Sequence, residues 1–276
     1  MAAEHKINKD DVEEVNQLSS GLYGETEKPG QPFPLETHMI IRDRYDMAAD
    51  LALGKRVLEV GCGAGMGLNY LAKSAESLHA IEYSGENIFA LSRQDTKLVT
   101  LEQADAHFLP YKDGSFELVV ALAMVYYLSL RDFLKEVHRV LAEDGVLFFC
   151  TSNKDVPGFC SAPFTTRYYS IPELAAILEA AGFEVEFHGV FPSQGAGWLR
   201  RLRAVVKGIL KSLVGVIPGG RELWRNLRDA SLGVKEPLPA SVEEMPVYPN
   251  IRPRLPTDSR DFEYRVIYVT AKKRSI

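Results

Sequence analysis

The sequence predicts an α/β fold, a mostly parallel sheet with helices on both faces. Three observations predict it. From Arg56 onward, short apolar runs alternate with stretches of helical periodicity. The first of those runs breaks into a loop with glycine at 61, 63, 65 and 67. A last apolar run, Tyr264–Ala271, follows a long intervening stretch. Strand–helix alternation of this kind argues for a parallel sheet covered on both sides.

The elements follow in order. Residues 1–34 are polar and end in the Gly/Pro-rich stretch from Lys28 to Pro34, which reads as a loosely held arm. Leu35–Leu53 has helical spacing through Met39, Ile40, Tyr45, Ala48 and Leu51. Val57–Val60 is the first strand, and helix Gly67–Ala75 follows it. Leu78–Glu82 and helix Glu86–Arg93 come next, then strand Leu98–Gln103. Strand Glu117–Leu122 leads to helix Leu130–Leu141 and strand Val146–Thr151. Helix Pro172–Ala181 has Gly182 as its stop, and Phe183–Val190 is the next strand. Phe191–Glu263 is too long for a bare loop and predicts a structured insertion.

Composition narrows the class. The 276 residues are 46% hydrophobic and 25% charged, as in a soluble globular protein with a sizeable core. A formal charge of −5 argues against nucleic acid as a partner. The three cysteines, Cys62, Cys150 and Cys160, lack metal-ligand spacing, so no metal is expected. The charged N-terminal stretch lacks the apolar core of a signal peptide, and no run is apolar enough to span a bilayer. A reducing, cytoplasmic location is the expectation.

The glycine loop carries the chemistry. Only glycine adopts positive φ freely and lets a ligand approach the backbone. A nucleotide crevice at the carboxyl end of a strand is built in this way. The dinucleotide pattern G-x-G-x-x-G fails, because its third glycine would fall on Met66 or Leu68. The pattern that fits is E-x-G-x-G-x-G, from Glu59 through Gly61, Gly63 and Gly65. A glycine-rich turn without a ligand is the alternative.

That spacing resembles motif I of the class I S-adenosylmethionine-dependent methyltransferases, of the type 11 kind. The stretch Phe108–Glu117 resembles the family's LP-x-x-D-x-SFD pattern, with Glu117 in place of the final aspartate. Glu136–Gly145 resembles its E-x-x-RVLKPGG. The resemblance covers Leu35–Val190 and the final strand. It implies a Rossmann-like, seven-stranded sheet whose last strand runs antiparallel, with a helical insertion before that strand.

The resemblance also implies roles. Glu82, at the end of the second strand, would hold the ribose hydroxyls. Asp105 would accept from the adenine amino group, with the backbone of Ala106 reading the ring edge. The residues expected around S-adenosyl-L-methionine are Glu59, Gly61, Cys62, Gly63, Gly65, Glu82, Tyr83, Asp105, Ala106 and Leu122. Where the family often has a histidine near the end of the fourth strand, this chain has Tyr127. Tyrosine is a poor base at its usual pKa of about 10, so Tyr126 and Tyr127 are expected to wall the methyl-transfer site or to orient an acceptor hydroxyl. A simple core role for both is the alternative.

Substrate contacts are expected from His38, Arg42 and Tyr45 on the first helix, and from Asn153, Arg167, Tyr168 and Tyr169 beyond the fifth strand. A surface helix and a solvated arginine are the alternatives. Trp198–Ile217 places Trp198, Leu202, Val205, Ile209 and Leu213 on one helical side and arginines and lysines on the other. Such a helix suits a peripheral membrane contact, a lid over a phosphate-bearing or lipid-linked substrate, or a cap packed on the domain. A second helix is expected at Glu222–Ser231, and Pro237–Pro256 is expected to run extended over the surface.

The chain therefore divides into an arm (1–34), a cofactor-binding core (35–190), a substrate-side cap (191–262) and a last strand with its tail (263–276). The region from Asn153 through the insertion resembles methyltransferases associated with bacterial surface-glycan assembly. The expected reaction is methyl transfer to a hydroxyl of a sugar or lipid-linked glycan. A quinone or natural-product phenol is the alternative acceptor, and a non-catalytic cofactor-binding or membrane-associated module is the rival from another class. Oligomeric state is not legible.

Overall fold

The computed structural model describes residues 27–94, 98–193, 235–249 and 251–274. In chain order the elements are β1 (Pro32–Pro34), α1 (Leu35–Ala52), β2 (Arg56–Val60), α2 (Leu68–Ala72), β3 (Ser77–Glu82), α3 (Gly85–Leu91), β4 (Val99–Gln103) and β5 (Phe116–Leu122). After a single 3-10 turn at Val125–Tyr127 come α4 (Leu130–Val140), β6 (Leu141–Ser152), α5 (Ile171–Ala180), β7 (Phe183–Pro192), β8 (Lys235–Pro237), a second 3-10 turn (Val242–Glu244), β9 (Arg254–Leu255) and β10 (Tyr264–Lys273).

The main sheet runs β4-β3-β2-β5-β6-β10-β7-β9. The strands from β4 to β6 pair in parallel. β10 inserts antiparallel between β6 and β7. Seven of these eight strands are those the sequence predicts. The eighth, β9, is a two-residue edge on β7 at Phe187 and His188.

Alternate residues of the central strands feed two cores. Leu58, Val119, Leu147 and Phe149 meet Phe133, Leu134 and Val137 of α4 and Leu174 and Leu178 of α5. Val57, Leu118, Val120 and Phe148 meet Ile41, Tyr45 and Ala48 of α1 and Leu68 and Leu71 of α2. This is the period-two signature of strands buried on both faces. Gly182 ends α5 at φ 90°, a conformation open to glycine and strained for other residues.

Two expectations are corrected. The arm is not loose where it is described: β1 pairs antiparallel with β8, and Gly30 N–H donates to the Leu238 carbonyl while Leu238 N–H donates to Gln31. The segment around Pro237–Pro256 does not merely run over the surface. Leu238, Val242 and Met245 are buried against the α1 side of the core, because the apolar side chains between its prolines need cover. The helices expected at Trp198–Ile217 and Glu222–Ser231 lie outside the described residues. Among the described residues, no helix is long and apolar enough to cross a membrane.

The chain builds outward from β2 to β3 to β4, then crosses to β5 and β6. The strand order thus reverses between β2 and β5, and a crevice opens at their carboxyl ends.

Candidate active site

The glycine loop leaves β2 in that crevice. Gly61 and Cys62 donate their N–H groups to the Ile81 carbonyl of β3 at 2.9 and 3.1 Å, which ties the loop to the sheet. Gly61, Gly63 and Gly65 have φ of 72°, 57° and 72°. A methyl group on Gly67 would lie 2.1 Å from the Tyr45 ring. The last glycine therefore serves close packing of α1 on the loop.

Three acids surround the loop. Glu82 is almost buried at the end of β3. Its Oε2 accepts from Gly63 N–H and its Oε1 from Ser84 N–H, both at 3.0 Å. A carboxylate offers about four acceptor positions, so these two bonds fix Glu82 and leave capacity for a ligand's hydroxyls. Asp105 Oδ1 accepts from His107 N–H at 2.8 Å and from His107 Nδ1 at 2.7 Å. Ser129 N–H donates to His107 Nε2 at 3.1 Å, which assigns the ring proton to Nδ1. Glu59 lies under the loop, 1% exposed. Its Oε1 accepts from the Tyr45 hydroxyl at 2.8 Å, and its Oε2 is buried with no partner among the described residues. Burial pushes its carboxyl up to about 7, against the opposing pull of Tyr45 and Arg44.

These groups enclose a cavity of about 440 Å3. That is within the range of small-molecule sites, roughly 300–1,000 Å3. Gly61, Cys62, Gly63, Glu82, Tyr83, Asp105, Ala106 and Leu122 all line it. Glu59 and Gly65 sit behind its wall.

Tyr126, Tyr127 and Leu128 also line the cavity, with Met124, which packs against Gly61. Tyr126 stacks on Tyr168 with centroids 4.6 Å apart. Its carbonyl accepts from Thr166 and Arg167 N–H at 2.8 and 3.2 Å. The loop beyond β6 is thereby clamped to this wall. Burial pushes the Tyr126 phenol well above its ordinary value, so it stays protonated and acts as a donor rather than a base.

Of the residues expected at the substrate, Tyr45 reaches the cavity. The others are engaged elsewhere. His38 Nε2 meets the Glu236 carbonyl at 3.2 Å. Arg42 donates to Asp46 at 2.8 Å and to the Val242 carbonyl at 3.1 Å. Asn153 donates to the Asp261 carboxylate and to the carbonyls of Asp261 and Tyr264. Arg167 donates to Glu173 at 2.8 Å and lies over the Tyr169 ring. Glu27 and Arg44, not foreseen from the sequence, line the cavity instead. Arg44 directly precedes Tyr45, but nothing in the helical pattern marks it as the inward-facing cation.

Known proteins give this geometry a context. A family model described as a methyltransferase domain matches residues 58–149. A probable S-adenosylmethionine-dependent methyltransferase of Mycolicibacterium smegmatis is 33% identical over 189 residues, covering 63% of this chain and 72% of that protein. The phthiotriol/phenolphthiotriol dimycocerosates methyltransferase of Mycobacterium tuberculosis is 35% identical over 133 residues. That match spans 43% of this chain and 48% of the relative, about half its length. A putative methyltransferase of Bacillus halodurans, 18% identical, shares the fold with a TM-score of 0.54 over 85% of this chain and 99% of its own.

Proposed function

The chain belongs to the class I S-adenosylmethionine-dependent methyltransferases, and we propose that it methylates a hydroxyl of a sugar or lipid-linked glycan. S-adenosyl-L-methionine, its cofactor, supplies an electrophilic methyl group on a sulfonium sulfur. The residues present suit it. Glu82 keeps acceptor capacity for the ribose hydroxyls, and Asp105 and Ala106 line the same cavity, which supports their reading of the adenine edge. The glycine loop gives the close approach that the sulfur end needs.

One observation carries the acceptor class. Beside the loop the lining is apolar and aromatic, through Met124, which packs against Gly61, and through Tyr126, Tyr127 and Leu128, and the Tyr126 phenol is pushed up and stays protonated. Such a lining favours a neutral hydroxyl over a charged acceptor, and methyl transfer then needs only its alignment with the methyl carbon. The lining offers a donor to orient the acceptor oxygen and no strong base. The two tyrosines then act by orientation. The M. tuberculosis relative, whose name gives a triol as its substrate, supports a hydroxyl acceptor. The Tyr126–Tyr168 stack also suits a flat phenol or quinone, the second reading. The charge pattern of Trp198–Ile217, which lies outside the described residues, suits an anionic or lipid-linked partner.

The test is incubation with the 13C-methyl cofactor and, separately, lipid-linked glycans, quinones and simple phenols, read by NMR. Label in an ether on a sugar hydroxyl is expected. Label on a phenol or quinone selects the second reading, and label on nitrogen overturns both.

A further inference from the structure

The two acids at the ends of β3 and β4 are held in different ways. Glu82 is nearly buried and is pinned by two backbone N–H groups. Asp105 stands beyond β4, in the turn that Phe108 N–H closes on its carbonyl, and its side chain is 40% exposed. A short, accessible carboxylate samples several rotamers unless something holds it. Here the holder is His107. Its backbone N–H and its ring Nδ1 both donate to Asp105 Oδ1, at 2.8 and 2.7 Å. Both bonds fall on one oxygen and leave Oδ2 to a ligand.

The ring is fixed from its other side as well. Ser129 N–H donates to Nε2 at 3.1 Å, so Nδ1 carries the proton. With that proton aimed at it, Asp105 is kept as an acceptor. With Nε2 occupied, the ring has no free lone pair to take a proton from a methyl acceptor. Asp105 and His107 both line the cavity, yet the pair is not arranged as a base. Ser129 is the N-cap of α4, and its Oγ donates to Asp132 at 2.5 Å. α4 is anchored in the core through Leu130, Phe133 and Leu134. The imidazole therefore braces the Asp105 turn against a rigid element, and a brace of that kind holds a contact group more closely than a mobile side chain could.

We infer that His107 is a positioning residue: it keeps Asp105 Oδ2 set to accept from the adenine amino group, and so determines how strongly the site prefers an aminopurine to the same purine without that group. This rests on the cavity being the S-adenosylmethionine site with Asp105 at the adenine.

The test is calorimetric titration of the full chain with S-adenosylhomocysteine and with its analogue carrying hydrogen in place of the 6-amino group. Wild type should bind the amino ligand about tenfold more tightly. His107→Asn keeps an amide N–H near the place of Nδ1 and should keep that preference. His107→Gln reaches the place of Nε2 instead, so it retains an acceptor for Ser129 and loses the ring's bond to Asp105. Its affinity for S-adenosylhomocysteine should fall about 5- to 10-fold, while its affinity for the analogue does not fall. The backbone N–H of residue 107 remains in both variants, so the loss is partial. Equal loss of both ligands in His107→Gln, or a preference as strong as in wild type, overturns the assignment. Wild type that binds the two ligands equally overturns the adenine role of Asp105 itself, a separate failure.

Discussion

Tyr45 donates its hydroxyl to Glu59 across 2.8 Å, joining α1 to the strand that carries the glycine loop. Among the described residues that hydroxyl is the one hydrogen-bond partner of a carboxylate closed off from water. It ties α1 to the floor of the cavity that Tyr45 lines.

Glu59 should impose a pH dependence on stability. Burial raises its carboxyl from 4.5 to about 7 in the folded chain. A raised folded value means the folded state holds the proton more tightly. The stabilisation is full below about 4.5 and is lost as pH rises through about 7. Glu59→Gln should therefore be more stable than wild type at pH 8, by on the order of 2–3 kcal/mol, and level with it near pH 4. Urea unfolding at both pH values checks this; equal differences at the two would count against it.

Gly67→Ala should disturb the same contact. The added methyl would lie 2.1 Å from the Tyr45 ring, so the ring or the loop must move. We expect a loss of about 1–3 kcal/mol, typical of overpacking. Weaker cofactor binding should accompany it, because the shift reaches Glu59. Thermal melts with and without S-adenosylhomocysteine measure both effects.

Glu82→Ala removes two acceptors that fix Gly63 and Ser84 and that face the cavity. Affinity for S-adenosylhomocysteine should fall by about 1.5–3 kcal/mol, the range for hydrogen bonds to a charged group. Unchanged affinity by calorimetry would remove Glu82 from the ribose role.

Arg252→Met should destabilise the chain without touching the cavity. Arg252 bonds Asp43 at 2.7 Å, and Asp43, 1% exposed, also accepts from the Tyr268 hydroxyl at 2.7 Å. Removing the cation leaves a buried carboxylate short of its counter-charge, at a cost of about 3–5 kcal/mol. Denaturant unfolding measures the loss, and cofactor affinity of the folded fraction should stay at the wild-type value.

The sheet was legible because its strands are buried on both faces. Runs such as Val57–Val60 and Leu118–Leu122 can be little else. The glycine loop was legible because its spacing is a backbone requirement. β1 and β8 were not. Pro-Phe-Pro and Lys-Glu-Pro carry no strand pattern, and they pair across about two hundred residues of chain. α1 misled for a related reason. His38, Asp43 and Arg44 are buried charged or polar residues whose partners, Glu236, Arg252 and Glu27, lie far off in sequence or in the arm. A helical wheel ranks such residues as solvent-facing, which is how Arg42 stood out and Arg44 did not.

Calorimetric titration of the full chain with S-adenosylhomocysteine tests the cofactor site most directly. One site with a Kd of about 1–50 μM, weakened in Glu82→Ala, is the expected result. A folded chain that binds neither S-adenosylhomocysteine nor S-adenosylmethionine, or that binds them undiminished in Glu82→Ala and Gly67→Ala, would contradict the placement of the cofactor between β2, β3 and β5.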